Sequence, residues 1–356
     1  MRLAAALIFV LTAASASASA SASASASASA SASAQPRSPL LEMPASLGLS
    51  QADRASVERF LRMPVPRVLA LGPNGAISWR STGGTAEEIE RRALESCQQR
   101  SNGAPCQVAV RDLAIVLPNR AWTPPEPPAD MRLSSWNHET VPDARFIWWG
   151  PEQARGVLVW AHGQGAPGVD LRGGQPQGWT RHFNNAGYDV WRFDRHPNAD
   201  RNNALRAAGW LRDDLIELRQ RGYRHIVMAG QSRGGWNTLM ALDTPGLADV
   251  HIAIAPFLSS DPLRLTEDLR GIVASSSGVP RARLAIVNLR DDPNDSAPER
   301  RGVLFRELGA RASAFLFIDR PEQPTGHNGG ATTTFNDRFG ACLLSFATLP
   351  QPPSVC

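Results

Sequence analysis

Short apolar runs alternate with longer amphipathic segments along the second half of the chain. The runs are rich in valine, isoleucine and alanine and end at polar or small residues, which is typical of buried strands, whereas the segments between them repeat apolar residues at helical spacing. This alternation predicts a largely parallel sheet with helices on both faces. The predicted strands are 145–149, 156–161, 189–193, 225–229, 250–255, 284–289 and 313–318, and the predicted helices are 179–185, 202–219, 234–242, 262–272, 297–308 and 332–347.

A smaller unit precedes this alternation. Residues 67–71 and 76–80 are apolar runs joined by a Gly-Pro-Asn-Gly turn, which predicts a β-hairpin. A helix over 86–98 and a strand over 107–110 are expected to follow, and a separate short helix is expected over 50–63. The chain therefore carries a small α+β module before its main sheet.

These elements divide the chain into six parts. The expected parts are a signal peptide with an alanine-serine linker over 1–34, a helical segment over 35–64, the small disulfide module over 65–115, a linker rich in proline and tryptophan over 116–130, the main α/β domain over 131–350 and a C-terminal tail over 351–356.

The first residues indicate export. Arg2 precedes an apolar run from Leu3 to Ala14, which is too short to span a bilayer but typical of a signal-peptide core. Alanine and serine then alternate as far as Ala34, offering a small-residue cleavage site at almost every step. We expect the signal to be cleaved, at a position that the sequence does not select, and the protein to be periplasmic or secreted. An uncleaved anchor is the alternative.

The chain contains no lysine, so all 37 basic residues are arginines. A Walker-type phosphate loop and a Schiff-base or pyridoxal-phosphate enzyme are excluded, because each needs an ε-amine. The net charge of +4 is small and the arginines form no basic stripe, so nucleic acid is not an expected partner. No stable membrane span, metal or organic cofactor is expected, and the oligomeric state is left open.

Four cysteines in a chain with an export signal favour disulfides over thiol chemistry. Three pairings are possible. Proximity favours Cys97 with Cys106 and Cys342 with Cys356, because each pair closes a short loop.

The chemistry centres on a serine between glycines. An apolar strand runs into Gly230-Gln231-Ser232-Arg233-Gly234, and a helix is predicted to follow. In a nucleophile elbow the serine occupies a strained strand-to-helix turn, and the flanking glycines are needed because β-carbons there would clash with neighbouring backbone. This context predicts that Ser232 is a nucleophile rather than an ordinary turn residue.

A serine nucleophile needs a histidine that takes its proton at the same edge of the sheet. Seven histidines compete for that role. His162 and His196 follow strands and can approach the site, whereas the pattern places His138, His182, His225 and His251 in packed or solvated positions. Only His327 lies in a loop after the last strand and before the last helix, which is where this topology returns a base to the serine.

The third member should be a carboxylate on the loop after strand 284–289. Asp291, Asp292 and Asp295 are all candidates, and Asp292 is preferred for its Asp-Pro step and its offset from the strand end. Asp261 is a more distant candidate. For the oxyanion, two backbone amides are expected, from Arg233 and from Gln164 in the loop after strand 156–161.

That second loop also matches Gly-x-Gly-x-x-Gly, from Gly163 to Gly168. A dinucleotide site would need a helix that begins within the loop. Prolines and glycines, including Pro167 and Gly174, interrupt any such helix, so the match is read as part of the oxyanion loop.

Together, the serine elbow, the oxyanion loop, the late aspartate and the final histidine resemble the α/β-hydrolase family, nearest its dienelactone-hydrolase-like and esterase branches, over residues 145–347. The resemblance implies an eight-stranded, mostly parallel sheet and acyl transfer through an acyl-enzyme. The chain departs from the pattern in two ways. Leu289 stands where the acid turn usually has glycine, and dienelactone hydrolases proper use cysteine where Ser232 stands.

The expected function is that of an exported serine hydrolase that cleaves a small carboxylic ester. A serine peptidase or amidase would share the machinery, and a hydrolase-like binding protein without activity is the alternative from another class. Trp148, Trp149, Trp191 and Trp236 could wall a substrate pocket or belong to the core. The 65–115 segment resembles a small cysteine-paired module of secreted bacterial proteins, and we interpret it as a structural accessory, with substrate or wall binding as the alternative.

Overall fold

The structure is a computed structural model that describes residues 37–166, 168–197, 204–259 and 261–356. The described residues belong to one compact unit, Gln35–Cys356. The expected signal peptide and alanine-serine linker fall outside the described residues, so both stay predictions.

The main sheet contains eight strands within these ranges. Their order across the sheet is β12-β11-β10-β9-β7-β8-β6-β5. Strands β7 to β12 run parallel, and β6 is antiparallel to both of its neighbours. The bounds are β5 Leu133–Ser134, β6 His138–Pro142, β7 Gly156–Ala161, β8 Tyr188–Arg195, β9 Ile226–Gln231, β10 Val250–Ile254, β11 Arg283–Asn288 and β12 Ala314–Asp319.

Helices cover this sheet. The described helices are α1 Pro39–Ser46, α2 Gln51–Leu61, α3 Ala86–Arg100, α4 Thr180–Asn185, α5 Ala204–Gln220, α6 Arg233–Met240, α7 Pro262–Ser275, α8 Pro298–Gly309 and α9 Thr333–Thr348. Helices α4 and α9 pack on one face, where Phe183 and Phe339 join a core with Leu158 and Ile252. Helices α5 to α8 contribute to two further cores with the alternate side chains of the same strands.

Burial on both faces explains why the central strands read as continuous apolar runs. Every residue of β7, β9 and β10 is buried, as expected for parallel strands under two helical layers. The eight-stranded, mostly parallel sheet between helices confirms the expected α/β-hydrolase fold. Each strand after 150 lies within two residues of its predicted bounds.

The predicted strand 145–149 is wrong. This segment is a loop whose amides bond to side chains instead of to a neighbouring strand: Ile147 N–H donates to Asn184 Oδ1 at 2.9 Å, and Trp149 N–H donates to Asp189 Oδ1 at 2.7 Å. Phe146, Ile147 and Trp149 are buried, which explains the apolar pattern. The strand in this part of the chain is β6, which has polar residues and ends in proline, as suits a strand near a sheet edge.

A separate four-stranded sheet precedes the main one in the chain. Its order is β2-β1-β3-β4, with β1 Arg67–Leu71, β2 Ile77–Ser81, β3 Gln107–Arg111 and β4 Ala114–Ile115. Helix α3 packs on it, and its buried Ile89, Ala93 and Cys97 form a cluster with Val68 and Ala70. The expected hairpin, helix and following strand are all present.

Two disulfides close short loops in the described part of the chain. Cys97 pairs with Cys106 and Cys342 pairs with Cys356. The first joins the end of α3 to the chain entering β3, and the second joins α9 to the last residue. Both pairings are those that proximity favoured. Among the described helices, none combines the length and the apolar character that crossing a membrane requires.

Candidate active site

Ser232 occupies the turn between β9 and α6. Its backbone has φ 56° and ψ −121°, a conformation that L-residues rarely adopt. Two backbone hydrogen bonds hold Ser232 in this conformation. The Ser232 N–H donates to Ile254 O at 2.9 Å, and the Ser232 carbonyl accepts from Phe257 N–H at 3.1 Å. Strand β10 and the chain that follows it therefore fix the serine at the carboxyl edge of the sheet.

The glycines around Ser232 are required by close backbone approach. A β-carbon on Gly230 would lie 2.4 Å from the carbonyl carbon of Gly234, and one on Gly234 would lie 2.0 Å from Ala161 O. A β-carbon on Gly235 would lie 3.1 Å from Ile254 O. The elbow is thus packed directly on the ends of β7 and β10, and side chains at these positions would displace the serine.

His327 lies in the loop between β12 and α9, and Asp292 lies in the loop after β11. His327 Nδ1 and Asp292 Oδ2 are 2.8 Å apart, and the two side chains are 16% and 3% exposed. The other oxygen of Asp292 accepts from Asn294 N–H at 2.8 Å. This contact fixes the direction in which the imidazole ring faces.

Two contacts bring the His327 loop to the serine elbow. Gln231, the residue before Ser232, donates from Nε2 to His327 O at 3.1 Å. The ring of Phe257 meets the ring of His327 edge to face, with centroids 5.8 Å apart, and the Phe257 amide bonds to Ser232 O. Within the described residues, Ser232 Oγ and His327 Nε2 make no hydrogen bond. Such bonds often tighten only when the reacting group is bound.

The other three candidate carboxylates do not contact His327 in the described structure. Asp291 is exposed and has φ 55°. Asp295 pairs with the buried Arg301 at 3.0 Å, and Arg301 also donates to Pro256 O. Asp261, the more distant candidate, caps α7 by accepting from Leu263 N–H at 2.9 Å. Of the four candidates, Asp292 is the one that contacts His327.

The loop after β7 lies against the elbow. A β-carbon on Gly163 would be 3.3 Å from Ser232 Cβ and 2.9 Å from Gln231 Oε1. The next residue, Gln164, accepts through Oε1 from Arg233 Nη2 at 3.1 Å. The two residues expected to supply oxyanion amides are therefore joined through their own side chains. Arg233 also opens α6, where the helix dipole favours negative charge.

The remaining histidines make structural contacts. His182 Nε2 bonds to Asn336 Oδ1 at 3.0 Å, and His251 Nδ1 donates to Thr238 O at 3.0 Å. His138 lies between Asp214 and the Trp210 ring, and His225 Nδ1 bonds to Tyr188. His196 follows β8, and its amide donates to Asn137 O.

His162 follows β7 but is occupied by its own loop. Its Nδ1 bonds to Gly163 O at 2.6 Å, and its Nε2 accepts from Arg195 N–H at 3.0 Å. Burial, and secondarily the charge of Arg195, lowers the pKa of His162 to about 3. The ring is therefore neutral near pH 7 and holds the loop in place.

A cleft of about 610 Å³ reaches Arg233, the residue after Ser232. Arg233, Trp236, Leu258 and Ile272 are among its lining residues, and charged side chains from α5 and α7 complete it. Of the four tryptophans considered as pocket walls, Trp149, Trp191 and Trp236 are buried in the cores. Trp148 is partly buried and packs on Trp191. Only Trp236 also lines this cleft.

Sequence reasoning missed Gln231, Phe257 and Arg195, which connect the loops at the site. Gln231 lies inside the Gly230–Gly234 motif, whose serine and glycines alone carry the prediction. Phe257 and Arg195 lie at the carboxyl ends of β10 and β8. The rule that found His327, namely that side chains after parallel strands meet at one edge, could have found these two as well.

The described residues contain no group of three or more histidine, cysteine or carboxylate side chains arranged to hold a metal. No protein-family model and no curated protein sequence matches the chain.

Solved structures of other proteins resemble part of this one. Est1E from Butyrivibrio proteoclasticus is 12% identical over 60% of this chain and 97% of its own, with a TM-score of 0.39. The α/β-hydrolase GrgF from a Penicillium species is 12% identical over 60% and 95%, with a TM-score of 0.43. Dipeptidyl peptidase 4 of Porphyromonas gingivalis is 18% identical over 58% of this chain and 33% of its own, with a TM-score of 0.41. The fold assignment rests on the sheet described above.

The close packing of the elbow predicts that a side chain at position 234 destabilises the protein. We expect Gly234→Ala to lower the free energy of unfolding by about 3 kcal/mol or more, because its β-carbon would meet the Ala161 carbonyl. Gly209→Ala is the matched control, since Gly209 lies within α5 with no atom within 4 Å of the added carbon, and it should stabilise by about 0.5–1 kcal/mol. Urea unfolding measures both. Equal effects of the two substitutions would contradict the packing described here.

The buried histidines predict acid sensitivity. Burial lowers the pKa of His251 to about 4, below the ordinary value near 6.5. Between these values the unfolded chain binds more protons, so the free energy of unfolding falls as pH falls from 6.5 to 4. His251→Asn, which keeps a donor for Thr238 O, should make that fall shallower by on the order of 3 kcal/mol. A pH series of urea unfolding curves with the same slope in both proteins would contradict the burial of this ring.

Proposed function

We propose that this protein is an exported serine hydrolase that cleaves a carboxylic ester through an acyl-enzyme. Ser232 is the nucleophile, His327 the general base and acid, and Asp292 the carboxylate that orients His327. The backbone amides of Gln164 and Arg233 bind the oxyanion. The substrate is a small-molecule ester, and the chemistry needs no cofactor.

The reaction has two acyl-transfer steps. Ser232 Oγ attacks the ester carbonyl while its proton passes to His327 Nε2, and the carbonyl oxygen becomes an oxyanion facing the two amides. The intermediate collapses as the alkoxide leaves with the proton from His327, and the acyl group remains on Ser232. Water then attacks the acyl-enzyme with His327 again as base, releasing the carboxylic acid and restoring the serine.

One observation carries the proposal. A histidine and an aspartate 2.8 Å apart are held, through Gln231 and Phe257, beside a serine whose strained backbone is fixed by close packing of glycines. Strain and close backbone approach concentrate at functional sites because folding alone gives no reason to keep them. An ordinary turn serine would need neither the φ of 56° nor a neighbouring histidine bonded to an aspartate.

Export is supported by residues outside and inside the described part of the chain. The apolar run from Leu3 to Ala14 after Arg2 is typical of a signal peptide. The two disulfides fit an oxidising compartment.

The small four-stranded sheet is proposed to be a structural accessory of the catalytic domain.

A serine peptidase or amidase would use the same side chains, so the leaving group must be tested directly. Purified protein should hydrolyse short p-nitrophenyl esters, with turnover depending on acyl-chain length, and should not hydrolyse matched peptide p-nitroanilides. Turnover of the anilides at a comparable rate would replace the ester assignment with an amidase.

A fluorophosphonate probe should label the wild type and not Ser232→Ala. Equal labelling of both, or of neither, would instead support a protein without this activity.

The acid assignment predicts unequal effects of two neighbouring carboxylates. Asp292→Asn should lower kcat for the ester by about 10³–10⁴-fold, because the amide would favour the wrong tautomer of His327. Asp291→Asn is the matched control, since this exposed side chain makes no contact with His327 in the described structure, and kcat should stay within about twofold. Steady-state kinetics measure both variants. A larger loss for Asp291→Asn than for Asp292→Asn would reassign the acid.

A further inference from the structure

Arg195 ends β8 with its side chain buried, 1% exposed, beside the loop that follows β7. Its guanidinium donates from Nη2 to His162 O and, at 3.2 Å, to Gly163 O. Its main-chain N–H donates to His162 Nε2 at 3.0 Å. One arginine thus holds two successive carbonyls and the ring of the same loop.

His162 completes this arrangement. A carbonyl oxygen can only accept, so the 2.6 Å contact between His162 Nδ1 and Gly163 O places the proton on Nδ1. The bond from Arg195 N–H requires an acceptor at Nε2. Both bonds are satisfied by the same neutral tautomer, and Gly163 O receives donors from His162 and from Arg195.

The carbonyl of Gly163 and the N–H of Gln164 belong to one peptide unit. In a trans peptide these two groups point in opposite directions, so fixing the carbonyl also fixes the direction of the N–H. Gly163 lies against Ser232, as the 3.3 Å approach of its added β-carbon to Ser232 Cβ demonstrates. The side chain of Gln164 is held separately by Arg233 Nη2.

From this geometry we infer that Arg195 is a positioning residue that aims the Gln164 amide at the oxyanion, with His162 as its neutral partner. The inference rests on the proposed function. Preorganised donors stabilise the transition state because they need no reorientation as charge develops. Loss of the clamp should therefore lower kcat more than it changes KM.

Arg195→Lys tests this, because lysine keeps the charge but cannot reproduce the planar fork that bonds two carbonyls. Arg181→Lys is the matched control: Arg181 is also 1% exposed and also donates to a main-chain carbonyl, Arg145 O at 3.1 Å, in a different loop. We expect Arg195→Lys to lower kcat for a p-nitrophenyl ester at least 10-fold with KM within about twofold. Both constants should stay within about twofold in Arg181→Lys.

Two further measurements distinguish a positioning role of Arg195 from a general loss of structure in the variant. The midpoint of the acid limb of the kcat profile should not move in Arg195→Lys, because His327 and Asp292 are untouched. Amide hydrogen exchange in a peptide covering 162–166 should be faster in Arg195→Lys than in Arg181→Lys. A folded Arg195→Lys protein with wild-type kcat would overturn the inference.

If Arg195→Lys does not fold, His162→Ala provides the test, because it removes the other donor to Gly163 O and leaves Arg195 and Gln164 in place. We expect kcat to fall at least threefold with KM within about twofold, and an unchanged kcat in the folded variant would overturn the inference. A wild-type protein without esterase turnover or fluorophosphonate labelling would refute the proposed function itself, whereas the exchange measurement would still report whether Arg195 orders the loop.

Discussion

The close packing of the serine elbow on the ends of β7 and β10 is the constraint on which the site depends. Gly234 touches the carbonyl of Ala161 so closely that no side chain fits, and Ser232 is tied to β10 through Ile254 O. These contacts hold Ser232 at a positive φ, a conformation that the chain would otherwise abandon. The two helical layers and the buried apolar strands stabilise the fold enough to maintain this strained backbone conformation.

The parallel sheet gathers the other groups at the same edge. Loops after β7, β10, β11 and β12 contribute Gly163, Phe257, Asp292 and His327 respectively, and Arg195 is the last residue of β8. Residues far apart in the chain therefore meet, and cross-contacts such as those of Gln231 and Phe257 fix their spacing. Because the chain has no lysine, each buried cationic contact in this region is made by arginine, whose fork can bond two carbonyls at once.

Much of the architecture follows from the sequence because the central strands are buried on both faces and read as uninterrupted apolar runs. Segment 145–149 breaks this rule. It is apolar because three of its five side chains are buried. Asn184 and Asp189 accept hydrogen bonds from two of its backbone amides, and no local pattern reveals partners so distant in the chain. Strand β6 is missed for the opposite reason, since a strand near the edge has too few apolar residues to stand out.

The candidate site also contains residues that the sequence predicts and residues that it leaves open. Ser232 is predicted from a local motif, and His327 is predicted from the general topology of a parallel sheet, in which the loops after the strands meet at one edge. Asp291, Asp292 and Asp295 share one loop, and only their directions separate them: Asp291 turns to solvent, Asp295 pairs with Arg301, and Asp292 meets His327. Side-chain direction after a turn depends on tertiary contacts, so sequence alone leaves the choice open.

The most direct measurement is a crystal structure of the protein after reaction with a p-nitrophenyl alkylphosphonate, whose adduct resembles the tetrahedral intermediate. Our account predicts phosphorus on Ser232 Oγ, with a phosphonyl oxygen about 2.7–3.1 Å from the main-chain nitrogens of both Gln164 and Arg233. An adduct on another residue, or a phosphonyl oxygen turned away from both amides, would contradict it.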